Sequence, residues 1–149
     1  MARALLYVWA ASDDDKYLIK SQRILDEILA NYSTNSGLFV REIGKSNIFS
    51  FEDNRQLLDL FMMHAQLSGN DKYLRKAENL SLVMFKKFNS EKGMLSAVGD
   101  KSVLPSIVDN DNLSAAITYN FLFQMTQNEK LKAMTTEIYE KTNKAAQQE

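Results

Sequence analysis

The chain has no cysteine, one histidine, one proline and one tryptophan in 149 residues. Without cysteine there is no disulfide framework, no thiolate nucleophile and no cysteine-based metal site. A single histidine, His64, excludes a paired-histidine metal site and any epimerase mechanism that needs two imidazoles. The formal net charge is −1, so the positive field that nucleic acid demands is absent. No apolar run approaches the ~20 residues that span a bilayer. Gly-rich phosphate loops, a nucleophile elbow and basic–aromatic alternation are also missing. What remains is one soluble globular domain over residues 1–149, with 45% hydrophobic and 25% charged residues. A cytoplasmic location is the expectation. "MARALLYVWAAS" imitates a short signal peptide, but it also fits a helix of the repeat described next.

That repeat is plain in "SDDDKYLIKS" (Ser12–Ser21) and "SGNDKYLRKA" (Ser68–Ala77), 56 positions apart. At the same offset Tyr17 matches Tyr73, Ile24 matches Leu80, Ile28 matches Met84 and Tyr32 matches Phe88. Their spacing is that of a one-faced amphipathic helix. The segments before each phrase are apolar around nearly their whole circumference: Arg3–Ala11, Asn54–Leu67 and, at an offset of 58, Leu113–Met125. Each unit therefore reads as a buried inner helix, a tight turn and an outer helix. Ser12 with Asp15, Ser68 with Asp71, and Thr126 with Glu129 have capping-box spacing. The third outer helix alternates Glu129, Glu137 and Glu140 with Lys130, Lys132, Lys141 and Lys144. Such a polar last helix suits a terminal repeat and is expected to protect the outside of the third hairpin. Connectors fall at Ser33–Asp53 and Asn89–Asp111, with short strands expected at Gly37–Glu42 and Gly93–Val98 and a loop at Pro105. The fold class is all-α, three α-hairpins with short strands in the connectors.

Hairpins of this length resemble α/α toroids of the six-hairpin glycosidase type. The stretch "FEDNRQLLDLFMMHAQLSGNDKYLRKAENLSLVMFKKFNSEKGML" (Phe51–Leu95) is similar to the toroid of thioredoxin-domain proteins of the spermatogenesis-associated thioredoxin-like family. Where that family tends to carry Pro-Ser-Gly-Asn-Ser, this chain has Asp109-Asn110-Asp111-Asn112-Leu113, keeping only Asn112. The resemblance implies an incomplete (α/α) toroid and a fragment of a larger ring, because a six-hairpin ring needs twelve helices. Its main functional implication is a non-catalytic ligand-binding, partner-binding or scaffold portion of a thioredoxin-domain protein. The alternative is part of a carbohydrate-active toroid enzyme, of glycoside hydrolase or sugar epimerase type, that uses rim carboxylates. No cofactor is implied.

Candidate site residues follow from the repeat. Glu52-Asp53-Asn54 aligns with Asn110-Asp111-Asn112, and both triplets open an inner helix on the same rim, where by resemblance toroids hold their ligand. Carboxylates there could work as an acid and base pair on a glycoside. Asp53 and Asp111 read more simply as helix caps. Asp109, Arg41 and Glu42 join the same rim set, the last two also readable as a surface ion pair. Asp109, Asp111 and Asp13-Asp14-Asp15 lack the glycine and final glutamate of a calcium loop, so no metal is expected. His64 lies eleven residues beyond Asp53, about 16 Å along the helix, and reads as a half-buried structural residue. Leu5, Leu6, Tyr7, Val8 and Trp9 form an apolar face with no neighbour in three hairpins. The expected partner is a second copy in a homodimer, or else preceding N-terminal hairpins and a thioredoxin-like domain.

Overall fold

The structure, a computed structural model, describes residues 1–44, 48–99, 106–107 and 109–147, with only the backbone described for 109–111, 145 and 146. Pro105 lies outside the described residues. Among the described residues six helices form three hairpins: α1 (Ala2–Ser12) with α2 (Asp15–Asn31), α3 (Phe51–Ser68) with α4 (Asp71–Phe88), and α5 (Asp109–Thr126) with α6 (Glu129–Ala146). Helix α3 packs against both α1 and α5. The three inner helices thus stand in a row, with the outer helices behind them. Helices α3 and α5 start three and four residues earlier than their apolar patterns suggest, and α1 starts one earlier.

The repeated phrase encodes the hairpin turn, although the serines do not cap. Asp13, Gly69 and Gln127 occupy the same turn position, and all three have positive φ, at 54°, 65° and 55°. Each donates its N–H to the equivalent carbonyl, of Trp9, Ala65 and Phe123, closing the inner helix with a left-handed residue. The next residue is Asp14, Asn70 or Asn128, whose side chain accepts from the N–H of Lys16, Lys72 or Lys130. These are the N-caps of the outer helices. Ser12, Ser68 and Thr126 instead donate back to the carbonyls of Val8, His64 and Leu122. A short Asx side chain directly before the helix reaches the free N–H more easily than a serine two residues further back.

The core is built mainly on α3. Phe51, Leu57, Leu58, Leu60, Phe61, Met62 and Ala65 are buried on several sides of it, as an all-round apolar helix requires. The two flanking inner helices depart from that expectation. Helix α1 buries only Ala2 and Leu6, and α5 leaves Leu113, Ile117 and Phe121 exposed. Each has a packed neighbour on one flank only. Leu6 therefore belongs to the core rather than to an open face, while Trp9 is half-buried and its indole N–H reaches Asp15. The outside of the third hairpin is not sealed either, since Tyr139 on α6 is exposed alongside Leu113 and Ile117.

Among the described residues the connectors carry four two-residue strands. β1 (Phe49–Ser50) pairs antiparallel with β4 (Ala97–Val98), and β2 (Asn89–Ser90) pairs with β3 (Gly93–Met94). Gly93–Val98 thus splits between two partners. Gly37–Glu42 forms no strand, only a single bridge from Phe39 to Ser33. The β2–β3 hairpin is anchored to the last helix, because the Lys141 ammonium donates to Asn89 Oδ1 and the Ser90 carbonyl at 2.8 Å each.

Candidate functional site

Ser50, not Asp53, caps α3: its hydroxyl accepts from the Asp53 N–H at 3.2 Å. That leaves the Asp53 carboxylate free to reach across the connector, where Arg41 Nε and Nη2 donate to it at 2.8 and 2.9 Å. The ion pair at the rim is therefore Arg41–Asp53, a two-pronged fork. Glu42 is exposed beside it. One position earlier, Glu52 receives both prongs of Arg55 at 2.7 Å and Gln56 at 2.9 Å. Those hydrogen bonds from Arg55 hold the Glu52 carboxyl below the usual carboxylate range. Consecutive carboxylates thus sit on the first turn of α3, each held by its own arginine.

Behind this pair runs a polar network that the spacing of the apolar residues conceals. Arg55 also donates to Asp59 at 2.8 Å, Thr118 of α5 donates to Asp59 at 3.2 Å, and Arg3 of α1 approaches it at 3.5 Å. One carboxylate on α3 is therefore shared by all three inner helices. The signal in the sequence is Glu52, Arg55 and Asp59 at i, i+3 and i+7. The cross-helix links to Arg3 and Thr118 have no local signature. A groove of about 250 Å³ follows this network, with Tyr7 and Phe121 at its edges and Arg3, Asp59 and Gln66 in its walls. Nearer the rim, a cleft of about 360 Å³ is lined by Ile28, Tyr32, Phe39 and Leu57, with Asp53 and Gln56 at its polar edge.

The other rim candidates divide differently. Asn54 is buried and faces the connector: Oδ1 accepts from the Phe39 N–H at 2.8 Å, and Nδ2 donates to the Phe39 and Ser50 carbonyls at 3.0 and 2.9 Å. Asn112 is its buried repeat partner and accepts from the Met94 N–H at 2.7 Å. Both asparagines pin a connector to an inner helix. The side chains of Asp109, Asn110 and Asp111 lie outside the described residues.

His64 is fully buried rather than half-buried, and it points to α2, where Nε2 lies 2.9 Å from Ser21 Oγ. Ser21 donates its own proton to the Ala2 carbonyl at 3.0 Å, so the imidazole is the donor to Ser21 and Nδ1 carries the lone pair. Nδ1 has no hydrogen-bond partner among the described residues. Burial pushes the imidazole below its usual value of 6.5. The unfolded chain then takes up a proton near pH 6.5 that the folded chain refuses. Stability from this residue is complete above that pH and falls as pH drops toward the folded value. Urea unfolding at pH 7.5 and 5.5 is expected to show a loss in the native chain that His64→Gln largely removes. An equal loss in both proteins would contradict this assignment.

No family model matches the chain, and no curated protein matches it significantly. Solved structures do match in fold. A D-mannose isomerase superposes with a TM-score of 0.83 at 11% identity, over 96% of this chain and 42% of its own. Cellobiose 2-epimerase from Bacillus thermoamylovorans B4167 gives 0.79 at 12% identity, over 93% and 38%. An inactive variant of the α-1,6-mannanase of Salegentibacter sp. HEL1_6, with two consecutive aspartates changed to asparagine, gives 0.75 at 11%, over 94% and 44%. The chain is a three-hairpin portion of the α/α toroid, six-hairpin glycosidase-like fold, and it spans less than half the length of these structures. The thioredoxin-associated scaffold expected from the sequence is thereby corrected, because the similar structures are sugar enzymes and nothing links the chain to thioredoxin domains. The Phe51–Leu95 pattern reflects hairpin geometry that many toroids share. No helix among the described residues is long and apolar enough to cross a membrane.

Proposed function

We propose that this chain is part of a carbohydrate-active α/α toroid and holds a sugar at the rim of its inner helices. The observation that carries this reading is the consecutive pair Glu52-Asp53 on the open rim of α3, in a fold shared along nearly the whole chain with sugar enzymes. Carboxylates fixed by arginines are strong acceptors for sugar hydroxyls. The exposed rings of Tyr7 and Phe121 flank the groove behind them. Glycoside chemistry fits better than epimerisation, since the only imidazole is buried against α2. Within that chemistry Glu52, held below its usual range, suits the role of acceptor or base rather than proton donor.

The test is calorimetric titration of the chain with D-mannose, cellobiose and α-1,6-mannotriose. Binding of at least one is expected. The double change Glu52→Gln, Asp53→Asn should weaken it about tenfold or more, the scale of one lost charge-assisted hydrogen bond. A folded chain that binds none of the three, or a double variant that binds as well as the native chain, would overturn the proposal.

A further inference from the structure

We infer that two copies of this chain close into one six-hairpin ring, α1 of each copy seating in the α5/α6 groove of the other. The repeat register shows where each hairpin expects a neighbour. Val8, His64 and Leu122 are equivalent positions at offsets of 56 and 58, and their exposures are 42%, 0% and 0%. His64 and Leu122 are covered on the side where the preceding hairpin stands. Leu5 is half-buried where its equivalents Phe61 and Tyr119 are buried, and Met1 is open where Leu57 and Ala115 are buried. The other end of the row shows the converse. Leu25, Ser81 and Tyr139 are equivalent positions on the outer helices, exposed by 0%, 0% and 57%. The first two are covered on the side of the following hairpin.

The open groove on the third hairpin, about 410 Å³, is lined by Leu113, Ala116, Ile117, Asn120, Thr135 and Tyr139. Its counterpart on the first hairpin receives α3, and its counterpart on the second receives α5, through His64 to Ser21 and Tyr119 to the Ser81 carbonyl. The shape of the groove therefore calls for an inner helix of this same repeat, presenting the equivalent face. In a second copy that helix is α1, whose face toward a preceding hairpin is the uncovered one. Transferring the two internal contacts places Val8 against Thr135 of the second copy and Leu5 against its Tyr139. Three hairpins form half of a six-hairpin ring, so a twofold axis along the ring closes it with two identical head-to-tail contacts. Tyr7, Met63 and Phe121, also equivalent, lie on the inner side in both copies. All inner helices then run in one direction, and the Glu52-Asp53 rims of both copies open at one mouth. That last consequence alone rests on the carbohydrate reading.

Sedimentation equilibrium of the 149-residue chain at micromolar concentration is expected to give roughly twice 17.0 kDa. Val8→Lys and Thr135→Glu should each raise the dissociation constant about tenfold or more, by placing a lone charge in an apolar contact, with the helical circular dichroism signal intact. An equimolar mixture of the two variants should recover the dimer. One of its contacts is native, and the other pairs lysine with glutamate. A native monomer, a mass that keeps growing with concentration, or a Thr135→Glu variant that dimerises normally would overturn ring closure. The readout involves no sugar, so a ring that binds none leaves this inference standing while refuting the carbohydrate reading.

Discussion

Asn54→Asp is expected to destabilise the chain by about 3–5 kcal/mol, the range for an uncompensated buried charge. The native amide has no spare capacity, since both its N–H groups and its oxygen are bonded to the backbone of Phe39 and Ser50. A carboxylate of the same shape keeps the bond from the Phe39 N–H but turns an oxygen toward two carbonyls. Asn54→Ala should cost less, about 1–3 kcal/mol for the groups it leaves unpaired. Urea unfolding followed by circular dichroism gives both values. If Asn54→Asp cost under about 1 kcal/mol, the connector would not depend on this clamp.

Phe51→Ala should cost about 3–5 kcal/mol, as for other buried aromatic truncations. The ring is fully buried and meets Phe88 edge-on with centroids 5.5 Å apart. Its N–H also donates to the Ser96 carbonyl at 2.9 Å, beside the β1–β4 pair. Phe51 thus joins the second connector to the start of α3 and the end of α4. The same urea measurement applies, and a loss of under about 1.5 kcal/mol would mean the site collapses easily around a smaller residue.

These two residues show where sequence reading reached and where it stopped. The hairpins were legible because burial imposes a helical period and because the turn recurs at offsets of 56 and 58. The turn chemistry was legible in place but not in role. Ser-x-x-Asp and Asx-x-Lys spacings overlap in the same five residues, and only the left-handed residue between them decides which one caps. Phe51 was missed because it precedes the regular apolar pattern of α3. The clamp made by Asn54 was not visible, because the fold of a connector back onto a helix leaves no period. Of the site, the Glu52-Asp53 pair was visible as a rim triplet. The arginines that hold it were partly visible: Arg41 stood among the candidates, whereas Arg55 was not singled out. The sharing of Asp59 among α1, α3 and α5 depends on helix rotation, which a one-dimensional pattern does not encode. The all-round apolar reading of α1 and α5 failed because apolar composition reports what a helix is able to bury, not which neighbours it has.

The central claim is that the arginine-held carboxylates on the first turn of α3 meet a sugar. Amide chemical-shift mapping of the isotope-labelled chain during titration with α-1,6-mannotriose, D-mannose or cellobiose tests this most directly. The account predicts saturable shifts at Arg41, Glu52, Asp53 and Gln56, extending to Tyr7 and Phe121 for a longer oligosaccharide. Shifts confined to the outer helices α2, α4 and α6, or no shifts from any of the three sugars in a folded chain, would contradict it.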